Sequence, residues 1–220
     1  MRIHLQTTPN KEVVPYDYQQ KLIGSLHKWL GENDLHDRIS LYSFSWLQNG
    51  MMVKDGYTFR KGARWFISFY EDEYLMKIIR TILSDPDMFA GLRVTDISIQ
   101  NTPDFRQQEY FKLASPVFIK RRIEGRGNQF YTFENEECGR FLTETLKHKM
   151  EIAGLPDDDT LAIRFDSDYP KKKVKKVRIH GIDNKCNMCP VFINGKPATK
   201  AFAWSVGLGN MTGSGFGSLY

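Results

Sequence analysis

The stretch Gly207-Leu208-Gly209-Asn210-Met211-Thr212-Gly213-Ser214-Gly215-Phe216-Gly217 holds five glycines in eleven residues. Glycine at this density lets a backbone adopt positive φ and approach a ligand closely, presenting N–H groups as a nest for phosphate. No Gly-Lys-Ser/Thr follows, which excludes a Walker A loop. No strand leads in and no helix leads out, which excludes a dinucleotide-binding turn. A flexible tail is the alternative, but Leu208 and Phe216 give the loop side chains to bury. Leu219 and Tyr220 could then begin a last strand.

Upstream of the loop the pattern predicts a short helix over 200–206, preceded by strands at 161–165, 174–180 and 191–194 and a long helix over 135–153. Further back lie expected strands at 110–113 and 117–121 and a hairpin around Gly125 and Gly127. In the first half, Ile3 and Leu5 alternate along a strand over 2–8. Leu22, Ile23, Leu26, Trp29 and Leu30 then fall on one stripe of a helix over 16–31, stopped by Gly31. Strands at 39–47 and 65–70, a helix over 71–83 ended by Asp85-Pro86, and a strand at 92–99 complete a βαββαβ order. The pattern restarts after Pro103. The expected fold is therefore α+β, with tandem ferredoxin-like (RRM-like) βαββαβ domains at 1–105 and 106–220.

The 220 residues carry 31 Lys+Arg against 26 Asp+Glu, a net charge of +5, and 41% are hydrophobic. The excess is local. Lys171, Lys172, Lys173, Lys175, Lys176 and Arg178 hold six positive charges with no acid between them, suited to a polyanion or to a solvated strand edge. Three cysteines are too few and odd for a disulfide framework and suggest the cytoplasm. Cys186 and Cys189 form a CxxC without a second ligand pair, so no zinc site is expected. No apolar run reaches membrane-spanning length, so no membrane association is expected. Asp157-Asp158-Asp159 reads as a solvated turn, and no carboxylate set has metal spacing.

A helix ending in Gly-Leu-Gly, followed a few residues later by Gly213-Ser214-Gly215-Phe216-Gly217, resembles the signature loop of the repeat-associated RNA-binding superfamily to which Cas6 belongs. Val14-Pro15-Tyr16-Asp17-Tyr18, Leu35-His36 and Leu41-Tyr42-Ser43-Phe44-Ser45 look like the Cas6 amino-terminal pattern. Leu113-Ala114-Ser115-Pro116-Val117 resembles the segment opening its second domain. The resemblance implies an endoribonuclease that processes CRISPR repeat RNA (pre-crRNA) without metal or cofactor. Such an enzyme uses the RNA's own 2′-hydroxyl and leaves a 2′,3′-cyclic phosphate and a 5′-hydroxyl.

That reaction needs a base, an acid for the leaving 5′-oxygen, and a cation near the phosphate; histidine suits both proton roles. The resemblance places His36, after the first helix, in cleavage, with His27 on that helix as its partner. A basic residue commonly precedes the aromatic strand, but Ser40 stands there. Arg38, two positions earlier, is the candidate stabiliser. RNA contacts are expected from Lys120, Arg121, Arg122, Lys172, Lys173, Lys175, Lys176 and Arg178, and from Gly207, Gly209, Gly213, Gly215 and Gly217. Lys176, Arg178 and His180 are expected on one strand face, able to track a phosphate backbone. The rival reading is a non-catalytic crRNA-binding subunit of an interference complex. Self-association and other CRISPR subunits as partners are left open.

Overall fold

A computed structural model describes residues 1–33, 35, 38–125, 127–179 and 181–220. Strand β1 (Arg2–Thr7) sends Ile3 and Leu5 into a core and leads through loop 8–18 into helix α1 (Gln19–Leu30), which buries Leu22, Leu26, Trp29 and Leu30 on the same side. There follow β2 (Tyr42–Phe44), the small hairpin β3 (Met51–Val53) and β4 (Gly56–Thr58), and β5 (Arg64–Phe69). Helix α2 (Asp72–Ser84) and β6 (Val94–Gln100) come next. The sheet order β2-β5-β1-β6, antiparallel throughout, is the ferredoxin-like βαββαβ arrangement, with β3–β4 inserted ahead of its third strand. Leu75, Ile78 and Ile82 of α2 join the α1 residues over one face of the sheet.

The second unit repeats the plan with larger insertions. Strand β7 (Tyr110–Phe111) is followed by the hairpin β8 (Lys120–Ile123) and β9 (Gly127–Phe130). Then come α3 (Cys138–Ile152), β10 (Ala162–Phe165), the hairpin β11 (Lys173–Ile179) and β12 (Ile182–Met188), β13 (Val191–Asn194) and α4 (Pro197–Val206). Proline at the first turn of α4 gives up only an N–H that has no helical partner. The sheet order is β10-β13-β7, extended by the isolated bridge Leu113–Leu219. That bridge stands where a fourth strand would, so the last strand expected after the glycine-rich loop is reduced to one pairing.

Several expectations shift. The strand expected over 39–47 is regular only at Tyr42–Phe44, and that expected over 117–121 begins at Lys120. Strand β12 was not expected at all. Its Asp183, Asn184, Lys185 and Asn187 are poor strand formers on their own, and pairing with β11 over seven residues overrides that preference. Asp157-Asp158-Asp159 is not simply a solvated turn, because Asp158 is fully buried. Its carboxylate accepts from Thr160 Oγ1 (2.6 Å), the Lys196 backbone N–H (2.7 Å) and Thr199 Oγ1 (2.6 Å), and so caps the start of α4.

The second face of the first sheet is covered by the carboxyl-terminal part of the chain. The Arg2 guanidinium is sandwiched between the rings of Phe66 and Trp204, 3.8 Å from each centroid. Among the described residues no helix is long and apolar enough to cross a membrane.

Candidate functional site

The glycine-rich loop runs between the two units. A single 3₁₀ turn at Thr212–Ser214 lies against β2 and α1, and residues 207–209, 212–213 and 215–219 are buried. Each glycine has a packing reason. A Cβ on Gly217 (φ +67°) would overlap the carbonyl of Leu208, and one on Gly213 would overlap Ser40 Oγ and lie 2.7 Å from Tyr42 Oη. On Gly215 it would meet the Phe44 ring at 2.8 Å, on Gly207 the Cβ of Ser43 at 2.9 Å, and on Gly209 the carbonyl of Phe118. The five glycines expected to contact RNA therefore face protein on their open sides. Asn210 and Met211 are the solvent-accessible tip, with Asn210 Oδ1 accepting from the Lys120 N–H at 2.8 Å.

His27 stands in the last turn of α1, half-buried, and its carbonyl accepts the Gly31 N–H at 2.9 Å as the chain leaves the helix. His36, its expected partner, lies outside the described residues. Described residues before it are anchored. Lys77 Nζ donates to Glu32 O at 2.7 Å, Asn33 Oδ1 accepts from the Leu35 N–H at 3.1 Å, and Leu35 packs on the first core. On the far side Arg38 is exposed, and Ser40 and Tyr42 meet the glycine-rich loop. Leu35, Arg38, Tyr42, Phe69, Tyr74 and Ile152 are among the residues lining a cavity of about 280 Å³ beside this segment.

The basic hairpin β11–β12 lies near the start of α1. Val177 and Ile179 are buried with Phe118, Cys186 and Phe216, so the loop's phenylalanine plugs the base of the hairpin. Lys176 and Arg178 share the exposed face, as the alternation predicts, and both pair with Asp183 on the facing strand (3.6 and 3.1 Å). His180, the third residue expected there, lies outside the described residues. Lys175 turns the other way, its Nζ 4.3 Å from the centroid of Trp46, whose Nε1 donates to Gly215 O at 2.9 Å. Burial, then the charge of Lys173, lowers the Lys175 pKa. Lys172 and Lys173 are exposed.

In the other basic cluster, Arg122 is exposed and Lys120 half-buried. Arg121 is committed to α3: it donates to Phe141 O (2.7 Å) and Thr145 Oγ1 (2.9 Å) and lies 3.7 Å from Glu144. Cys186 and Cys189 are buried separately, their thiols pushed up to about 12 and about 11 by burial. Among the described residues no three His, Cys, Asp or Glu side chains converge as metal ligands.

The family model for the carboxyl-terminal part of CRISPR associated protein Cas6 matches residues 100–220, more than half of the chain. This chain belongs to the Cas6 family. Its fold agrees with solved structures of the same group. A CRISPR associated protein Cas6 is 24% identical with a TM-score of 0.84, covering 100% of this chain and 98% of its own. A Cas6-related gene product from Pyrococcus furiosus is 19% identical with a TM-score of 0.85 (100% and 97%). A RAMP protein described as binding different RNA substrates is 17% identical with a TM-score of 0.83 (100% and 98%). Among curated proteins no sequence matches. The tandem ferredoxin-like reading made from the sequence is thus correct.

Three structural residues escaped the sequence reading: Arg2, Lys149 and Asp158, all buried. Only Lys149 carried a signal. It falls three after Leu146 and seven after Leu142 on the apolar stripe of α3.

Proposed function

We propose that this chain binds CRISPR repeat RNA and cleaves it by attack of the RNA's own 2′-hydroxyl, leaving a 2′,3′-cyclic phosphate and a 5′-hydroxyl. The observation that carries the reading is the family match over residues 100–220 in a chain that places histidines in the last turn of α1 and in the loop after it. His27 and His36 divide the base and acid roles, to which histidine side chains are suited as a class. Arg38, exposed and at the far end of the same segment, supplies positive charge to the crowded phosphate. Neither step requires a metal or a cofactor. The boundary between the two units falls at 105/106, and the cytoplasm is the compartment in keeping with three unpaired buried cysteines.

RNA is held by charge and shape. Lys172, Lys173, Lys176 and Arg178 on the β11–β12 hairpin follow the phosphate backbone, with Arg122 and Lys120 as a second patch. Lys175 and Arg121 support these surfaces from inside, one on Trp46 and the other on α3. The glycine-rich loop carries its accessible tip, Asn210 and Met211, toward the second patch through the Asn210–Lys120 hydrogen bond.

The test uses labelled repeat RNA in excess EDTA, with wild type, His36→Ala, and a substrate carrying a 2′-deoxy nucleotide at the cut site. Cleavage by wild type that is lost with either change supports the nuclease. Tight binding with no cleavage by any version assigns the chain to a non-catalytic crRNA-binding role.

A further inference from the structure

Lys149 of α3 is 3% exposed, on the stripe that otherwise holds Phe141, Leu142, Leu146 and Met150. A methionine would fill that place without the cost of burying an amine. Among the described residues no carboxylate lies within ion-pair distance of it. Instead Nζ donates to Val206 O at 3.1 Å, where α4 ends, and to Thr212 Oγ1 at 2.8 Å, at the start of the 3₁₀ turn in the glycine-rich loop. Thr212 Oγ1 in turn donates to Ser40 O at 3.4 Å. Gly213, the next residue, is pressed so closely on Ser40 and Tyr42 that no Cβ fits. Burial pulls the Lys149 pKa down to about 7, so the lysine is held at a cost that its two hydrogen bonds must repay in structure. Those bonds run from the second unit, through the loop, to the backbone two residues beyond Arg38.

We propose that Lys149 is a positioning residue for RNA cleavage: through Thr212 it clamps the glycine-rich loop onto Ser40 and so fixes the backbone that leads from Arg38 into β2. This rests on the nuclease reading above. The lysine is out of reach of RNA, so its effect falls on the geometry of the reacting groups and not on RNA affinity. A reacting group displaced by an ångström costs far more in rate than in binding. The tight glycines of the loop have the same purpose, because a side chain at 213 would hold the two surfaces apart.

The experiment compares Lys149→Met, Thr212→Val and Thr212→Ser with wild type. Two readouts are taken: single-turnover cleavage at saturating repeat RNA with the Kd measured separately, and amide hydrogen exchange over residues 38–44 of the free protein. Lys149→Met and Thr212→Val are expected to lower the cleavage rate by about tenfold or more, with Kd changed by less than about twofold. Both should also speed exchange over 38–44. Thr212→Ser, which keeps the hydroxyl, should restore both readouts. Unchanged rates in Lys149→Met and Thr212→Val, with an active wild type, overturn the proposal even where the melting temperature drops. A loss confined to Kd overturns it as well. A wild type that binds but never cleaves instead overturns the nuclease reading, and unaltered exchange would then remove the clamp itself.

Discussion

Arg2 Nη2 donates to Leu219 O at 2.7 Å, joining the first strand to a residue 217 positions later. The same guanidinium donates to Trp204 O at 3.2 Å and, through Nε, to Ser68 Oγ at 2.7 Å, while Phe66 and Trp204 cover its two faces. Burial lowers its pKa to about 9. Arg2→Met relieves the charge burial but leaves three buried acceptors dry, at about 1 to 3 kcal/mol each, so the net loss should be about 3 kcal/mol in urea unfolding. Arg2→Lys should do nearly as badly, because an ammonium cannot stack between two rings and reach both carbonyls. A Lys variant as stable as wild type would show that the fork geometry is unimportant.

Asp158 gives an acid-side prediction. Burial alone would raise its pKa, but donors from Thr160, Thr199 and the Lys196 backbone bring it down from 3.8 to about 2. A carboxylate with a depressed folded pKa stabilises above its unfolded pKa, and the gain is lost as pH falls from about 4 to 2. The loss amounts to roughly 2 kcal/mol. Asp158→Asn should remove that acid dependence and lower stability at neutral pH by a similar amount. Urea midpoints of the two proteins at pH 3 and pH 7 check this.

Lys149 gives a slope of the same sign in a higher pH window. Its folded pKa of about 7 lies below the unfolded 10.5, so between those values the native state has shed a proton that the unfolded chain keeps. Stability contributed by this group therefore rises with pH across the window, by up to roughly 1.4 kcal/mol per pH unit. Lys149→Met should lack the rise, and the difference between the two proteins from pH 7 to 9.5 isolates it from other titrating groups. Parallel curves would mean that the ammonium is better solvated than its burial implies.

The loop glycines differ from the hairpin glycines. At Gly217 a Cβ would strike the Leu208 backbone at a positive φ, whereas at Gly125 (φ +73°) the same Cβ meets nothing within 4 Å. Gly125→Ala should cost about 1 kcal/mol of backbone strain, and Gly217→Ala about 3 kcal/mol or more. Equal shifts in thermal unfolding would show that the two ends of the loop, at Leu208 and Gly217, can part at little cost.

Lys172→Ala with Lys173→Ala should weaken repeat-RNA binding and reduce the slope of log Kd against log salt by roughly 1.5, the sum of two phosphate contacts. Arg121→Ala should act first on stability, since that side chain is bound to Phe141 O, Thr145 and Glu144. A larger salt-slope change for Arg121 than for the lysine pair would reverse the assignment of these surfaces.

The main strands and helices, the tandem plan and the basic strand β11 were legible because they rest on local periodicity. Ile3 and Leu5 alternate, the α1 stripe repeats at helical spacing, and charge crowds into 171–178. Strand β12 was hidden because several of its residues disfavour extended structure and pairing with β11, and at Asn187 with Val117, makes it a strand. The glycine pattern marked the loop as special but could not say whether its open faces meet phosphate or protein. That was decided by Ser40, Tyr42 and Phe44, some 170 residues earlier in the chain. Burial of Arg2, Lys149 and Asp158 was likewise invisible, since a charged residue looks solvated until distant segments fold over it. Sequence sets what each segment can do locally; long-range packing alone decides which polar groups leave water and which partners they then require.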